Sequence, residues 1–328
     1  VNVICLVGAG RIGAIHAANV AAHPAAELRY VVDINAEAAA RLAANVGAKA
    51  VSLERALADS EVGALLIASA TCTHVDLITA AIAAGKAVFC EKPVDLDVQR
   101  VEHCLTAVRD SGSFLMLGFN RRFDPQFAAL ERRLRAGDIG KLEMVSIVSR
   151  DPEPPPLAYL KQSGGLFLDM MIHDFDMARW LLAEEPCELY ATASALVDPA
   201  VAAAGDVDTA LVILRTPSGV LCSISNSRRA VYGYDQRLEV FGSSGMLRAE
   251  NETPTRLQHF TAQGVVTEKP LNFFLERYQD AYRRELAEFI LALENGTPAP
   301  VSGDDGWRAQ RLAEAAAKSC RDRKPVDL

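Results

Sequence analysis

The stretch "GGLFLDMMIHDFDMARWL", Gly164 to Leu181, sets Asp169, His173, Asp174 and Asp176 among Leu, Phe, Met, Ile and Trp. Burying so many ionisable groups is costly unless each has a partner or a task. If the stretch is one helix, Asp169 and His173 are i, i+4 and share a face, with Asp176 three residues further along it. Asp174 is then turned by about 100° from His173. Three uses compete. As caps or solvated groups, Asp169 near a helix start would suit the helix dipole, but His173 beside Ile172 and Phe175 is left over. As metal ligands, Asp169, His173 and Asp176 offer imidazole and carboxylate, yet no His-rich or Cys-rich segment adds the remaining ligands, so no metal is expected. As acid–base groups, they supply the one side chain that titrates near neutrality, histidine.

The elements that must position these residues are legible from periodicity. Up to about residue 120 the apolar runs "VNVICLVG", "ELRYVVD", "GALLIAS", "KAVFCEKP" and "SFLMLGFN" alternate with helical segments over 11–22, 36–46, 74–84 and 97–110. This is the pattern of βαβ units on a parallel sheet covered on both faces. Gly8, Gly10 and Gly13 form G-x-G-x-x-G, enclosing Arg11 and Ile12, between the first strand and first helix. Such glycines let the backbone approach a pyrophosphate that the helix N-terminus favours. Asp33, about 20 residues further on, stands where a carboxylate accepts hydrogen bonds from a ribose. Its charge would repel the 2′-phosphate of NADP, and Ile34 and Asn35 supply no cation to hold one, so NAD is the expected cofactor.

"AVFCEKPVDLD" places Glu91, Lys92 and Pro93 just past the end of the fifth strand, and "SATCTH" ends the strand before it. Ligands sit at this edge of an open α/β sheet. Ser69, Ala70, Thr71 and His74 are therefore expected to line the cofactor, although His74 could simply begin the next helix. Taken alone, Glu91-Lys92-Pro93 also reads as a solvated surface turn.

After "GFNRRFDP" the texture changes: a helix over about 124–136, the strand "KLEMVSIVSR", the loop "DPEPPP", then the opening stretch. From about 187 to 267 strands and turns dominate, with a hairpin around Pro217-Ser218-Gly219 in which Val220, Cys222 and Ile224 alternate with serines. Amphipathic helices near 273–294 and 304–319 close the chain. The expected fold is an N-terminal α/β Rossmann domain with a doubly wound parallel sheet, residues 1–121. A C-terminal α+β domain with a mostly antiparallel sheet follows, residues 122–328. A net charge of −8, with no basic cluster interleaved with aromatics, argues against nucleic acid. No apolar run suits a bilayer, the first residues read as a strand and glycine turn rather than a signal peptide, and the seven scattered cysteines suit reduced thiols. A cytoplasmic enzyme without a membrane partner is the expectation.

The motifs "GAGRIGAIH", "EKP", "GFNRRFDP" and "GGLFLDMMIHDFD", in this order, resemble those of the Gfo/Idh/MocA oxidoreductases over essentially the whole chain. The last two, with "YGYDQRLEVFG", look most like the branch that oxidises cyclic polyols such as myo-inositol. The resemblance implies a second domain whose large open sheet mediates oligomers, commonly tetramers. It implies that Lys92, Asp169 and His173 act on a substrate hydroxyl, that Lys92–Pro93 is a candidate cis peptide, and that Asn120 and Arg121 lie near nicotinamide and substrate. Asp151 and Tyr234 match positions lining polyol pockets. Oxidising a secondary alcohol sends a hydride to the nicotinamide and leaves a proton for a base. His173 is expected to be that base, Asp169 its support or a substrate ligand, and Lys92 the cation that stabilises alkoxide. A small neutral polyol or sugar is the expected substrate. A non-catalytic NAD-binding regulator is the alternative from another class.

Overall fold

From Asn2 onward, four- to seven-residue strands with almost wholly buried side chains alternate with helices in the computed structural model, which describes residues 1–328 apart from the side chain of Lys161. The order is β1 (Asn2–Val7), α1 (Arg11–Ala22), β2 (Ala26–Val32), α2 (Ala36–Val46), β3 (Lys49–Ala50), α3 (Leu53–Ala58), β4 (Ala64–Ile67), α4 (His74–Ala83), β5 (Ala87–Glu91), α5 (Val98–Ser111) and β6 (Leu115–Gly118). The strands pair in parallel in the order β3-β2-β1-β4-β5-β6. The expected parallel sheet is present, with β3 and α3 as additions that are too short to leave a periodic signal. Because the strand order reverses between β1 and β4, the crevice at their carboxyl ends is where this fold takes a dinucleotide. Local chemistry marks the helix ends: Asn35 accepts from the amides of Glu37 and Ala38 to start α2, and Gly47 ends it in the left-handed conformation.

The middle of the chain folds as α6 (Pro125–Arg135), β7 (Leu142–Arg150), α7 (Leu157–Ser163), α8 (Gly165–Asp169), α9 (Ile172–Leu182), β8 (Glu188–Ser194), α10 (Pro199–Ala203), β9 (Thr209–Arg215), β10 (Leu221–Ser227), β11 (Asp235–Gly242), β12 (Gly245–Ala249), β13 (Gln258–Thr261), β14 (Gly264–Thr267) and α11 (Phe274–Arg277). Then come α12 (Gln279–Asn295), α13 (Gly303–Asp322) and β15 (Val326–Asp327). Seven strands form one sheet, β12-β11-β7-β10-β9-β8-β15, in which only β7 and β10 pair in parallel. The β9–β10 hairpin turns where expected, with Gly219 at φ 91° and its amide bonded to the Thr216 carbonyl.

Two boundaries differ from expectation. The stretch opening at Gly164 is two helices rather than one: the amides of both Met170 and Met171 bond to the Leu166 carbonyl, and α9 restarts from Met171. Neither Gly nor Pro marks this break. Asp169 therefore closes α8, while His173 lies in the first turn of α9. The second difference is in domain membership. Val1–Asn120 and Ala281–Arg308 form one compact unit, Arg121–Asp280 and Ala309–Leu328 the other. The chain returns because the apolar stripe of α12 covers the parallel sheet: Phe289 meets Phe89 and Phe114 edge-on at centroid distances of 5.6 and 5.8 Å. The Leu117 amide bonds to the Val301 carbonyl at 3.1 Å.

Phe289 is fully buried within this aromatic cluster. Phe289→Ala should lower unfolding free energy by about 3–5 kcal/mol, read by urea denaturation.

Candidate active site

The glycine turn shows why each glycine is there. A Cβ on Gly8, whose φ is +108°, would lie 2.5 Å from the Ala68 carbonyl oxygen, so β1 and β4 close together only with glycine. A Cβ on Gly13 would lie 1.9 Å from the Gly8 carbonyl oxygen, which fixes how closely α1 packs on the turn. At Gly10 a Cβ would meet no chain atom within 4 Å, so this glycine leaves open the approach to the turn. Gly10 caps α1 without any side-chain hydrogen bond, and the first turn carries no acidic residue. Amides and dipole there suit a pyrophosphate, and the cradle fits NAD. Asp33 accepts from the Ala9 amide at 2.6 Å and from the Asn35 amide at 2.8 Å. It therefore braces the glycine turn, and each carboxylate oxygen keeps a second lone pair for a ribose hydroxyl. Ile34 beside it is fully exposed.

At the ends of β4 and β5, Ser69 shares a hydrogen bond of 2.7 Å with Thr73, and Ala70 and Thr71 begin a short 3₁₀ turn. His74 is buried, with Nδ1 2.8 Å from the Pro93 carbonyl and Nε2 3.1 Å from the Ser69 carbonyl. A neutral imidazole donates from one nitrogen only, and burial lowers its pKa, so the shorter bond to Pro93 is the one made. His74 is thus a strut between two strand ends. Lys92–Pro93 is a cis peptide, and the Glu91 carboxylate turns to His16 Nε2 at 2.6 Å.

In the second unit, three strands change character along their inward faces. Val145 and Ile147 lead to Ser149 and Asp151, Cys222 and Ile224 lead to Asn226 and Arg228, and Val240 and Leu238 lead back to Gln236 and Tyr234. Register places Asn226, Ser149 and Gln236 side by side across β10, β7 and β11. Ser149 donates to Gln236 at 3.0 Å, and Arg121 donates to Ser149 at 3.3 Å and to Asp174 at 2.6 Å. Asn226 donates to the other Asp174 oxygen at 2.9 Å. Burial pushes the Asp174 carboxyl above the usual range, against the pull of Arg121 and Asn226. Asp176 is held by a two-pronged pair with Arg122, at 2.8 and 2.5 Å. Asp174 and Asp176 thus anchor α9 to the segment that opens the second unit, and Arg121, expected beside cofactor and substrate, is committed to that anchor.

Asp169 accepts from the Tyr159 hydroxyl at 2.8 Å and from Arg228 at 3.1 Å. Arg228 also lies 3.9 Å from Asp151. One buried guanidinium therefore stands between two of the expected site carboxylates. Burial pushes Asp151 up to about 6, with Arg228 opposing and Asp169 adding to the rise. Tyr234 is buried edge-on to Tyr278 at 6.0 Å, and burial raises its hydroxyl, which stays protonated at neutral pH. Tyr159, Asn226 and Arg228 were missed in the sequence. For Asn226 and Arg228 the signal is the inward alternation of β10, which runs past Ile224 into both without changing face; Tyr159, on α7, has none.

Residues 3–119 match the oxidoreductase family with NAD-binding Rossmann fold, and residues 127–248 match the GFO/IDH/MocA C-terminal domain. An inositol 2-dehydrogenase of Rhizobium meliloti is 48% identical over 324 residues, covering 98% of each chain. The solved structure of a myo-inositol dehydrogenase from Corynebacterium glutamicum is 45% identical with TM-score 0.97, covering 100% of this chain and 98% of that one. A scyllo-inositol dehydrogenase of Lactobacillus casei, solved with NAD(H) and scyllo-inositol, is 27% identical with TM-score 0.92, covering 99% and 98%.

Two outcomes follow from this geometry. Asp33→Ser should weaken NAD about tenfold or more and relax discrimination against NADP, measured as the two dissociation constants. Asp151 is neutral more readily when folded than when unfolded, where its pKa is about 3.9. The stability this contributes is complete below about pH 4 and lost as pH rises to about 6, some 3 kcal/mol in all. Asp151→Asn should abolish that slope in urea unfolding followed from pH 4 to 7.

Proposed function

Because the chain belongs to the Gfo/Idh/MocA family of NAD-dependent oxidoreductases, we propose that it oxidises a ring secondary hydroxyl of a cyclic polyol, myo-inositol foremost, to the ketone. The observation that carries this reading is the Asp151–Arg228–Asp169 cluster at the polar end of the second sheet. It sets two carboxylates around one guanidinium, which disfavours an anionic ligand and offers donors and acceptors to a neutral substrate rich in hydroxyls. The names of the relatives above support the same substrate class.

NAD, when bound, supplies the hydride acceptor. His173 takes the hydroxyl proton, a task for a group that titrates near neutrality. The Lys92 ammonium stabilises the developing alkoxide. Asp169, fixed by Tyr159 and Arg228, holds a substrate hydroxyl, and Asn120, Asp151 and Tyr234 contribute further polar contacts. Gly8, Gly10 and Gly13 with the amides of Arg11 and Ile12 hold the pyrophosphate, Asp33 the ribose. Ser69, Ala70 and Thr71 line the same crevice.

The outward face of the seven-stranded sheet supports a homo-oligomer, with a tetramer as the reading. Register pairs Tyr190 with Ile213 and Met144 with Phe241, all exposed, and Leu211 and Leu221 extend the patch. Contiguous exposed apolar surface of this kind marks association sites. Among the described residues no helix is long and apolar enough to cross a membrane. The seven cysteines are free thiols, which supports a reducing, cytoplasmic setting.

His173→Ala and Lys92→Ala should each lower turnover on myo-inositol about 10²- to 10⁴-fold with NAD affinity retained. NADH formation across inositol isomers, aldoses and deoxy sugars tests the substrate. Faster turnover of scyllo-inositol or an aldose would move the reading within the family, and no turnover with NAD bound would make the protein a regulator.

A further inference from the structure

Glu285 lies in the apolar stripe of α12, between Tyr282 and Leu286 on one side and Phe289 on the next turn, and is completely buried. Neither of its carboxylate oxygens has a hydrogen-bond partner. His16 of α1 and Glu91 of β5 offer ligand-type atoms that, with one from Glu285, all lie within 4.8 Å of one another. His16 meets Glu91 through Nε2 at 2.6 Å, its ring edge-on to Phe89 and Tyr282. Room for the Glu91 carboxyl comes from β6, where a Cβ on Gly118 would stand 3.0 Å from it.

With both carboxyls ionised this pocket would hold two negative charges against at most one positive charge on His16. Such a cluster is balanced either by a cation or by a proton on one of the carboxyls. The 2.6 Å contact decides against an ion held between His16 Nε2 and Glu91 Oε1, since ligands of a tetrahedral site at about 2.0–2.1 Å stand about 3.3 Å apart. Burial, with the Glu91 charge adding to it, holds the Glu285 carboxyl well above the usual range. Two neighbouring groups that feel the Glu91 charge are held toward their uncharged forms, and a third lies against His16. Burial raises the Cys90 thiol and lowers His74, both of which feel the Glu91 charge, and the Tyr282 phenol lies against His16.

We propose that Glu285 is a positioning residue that works as a neutral acid packed against the His16–Glu91 pair, completing a His16–Glu91–Glu285 cluster that fixes the end of β5 from which Lys92 projects. Glu91 and Lys92 are consecutive, so the orientation of one carboxylate sets the peptide that carries the ammonium. The proposal goes beyond the polyol reading and rests on it only through the role given to Lys92.

The test compares Glu285→Gln and Glu285→Ala with the parent chain, each purified with NAD. Glutamine mimics a neutral acid, so its variant should turn over within about threefold of the parent at pH 7. Its melting temperature should gain on the parent as pH rises from 5 to 8, by about 5 °C or more, because only the parent must keep a proton. Alanine should lower kcat about tenfold or more while KM for NAD stays within about threefold. A melting-temperature difference that is flat or falls with pH overturns the proposal, as does a glutamine variant as slow as the alanine variant. One equivalent of metal in the purified parent, lost in Glu285→Gln, would also overturn it. If the alanine variant does not fold, the glutamine comparison decides alone. The thermal comparison does not depend on the role of Lys92, so its failure is distinguishable from failure of the polyol reading.

Discussion

Arg228 is buried along almost its whole length, and burying a guanidinium is costly unless anions stand beside it. That requirement organises the polar end of the second sheet. Asp169, at the carboxyl end of a one-turn helix, gains from Arg228 the cation that its position calls for, and Tyr159 completes its coordination. Asp151 stands further off, and burial raises its carboxyl against the pull of the same cation.

The same logic recurs where the segment at Arg121 meets α9. Asp174 and Asp176 are each consumed by an arginine from the run "NRRF", so two of the four ionisable groups in the opening stretch are spent on holding α9 in place. Asp169 and His173 are left for the roles proposed for them. The division follows from partners supplied by distant chain, and nothing in the local spacing announces it.

That contrast explains what was legible in the sequence. Gly8, Gly13 and Asp33 were readable because their constraints are backbone constraints within a strand, a turn and a helix, and the parallel sheet followed from burial on both faces. The break after Asp169 was not readable: Met170 and Met171 are ordinary helix formers, and only the bonding to Leu166 parts α8 from α9. Asn226 and Arg228 were missed because they act through cross-strand register and ion pairing, and Tyr159 because its hydroxyl meets Asp169 from a separate helix. His74 begins α4, as the sequence allowed, but its contacts to the Pro93 and Ser69 carbonyls come from the pairing of β4 with β5 and left no local signal.

The return of Ala281–Arg308 to the first unit bears on how the protein is made. On a chain leaving the ribosome the parallel sheet precedes the second unit, yet Glu285, Phe289 and Val301, which cover it, follow Arg121–Asp280. Until they emerge, Phe89 and Phe114 have no aromatic lid. The nascent first unit therefore waits, with an open apolar face, for Arg121–Asp280 to be translated, and is a natural client for chaperones during that interval. The cofactor half of the protein is begun before the second unit and completed only after most of it.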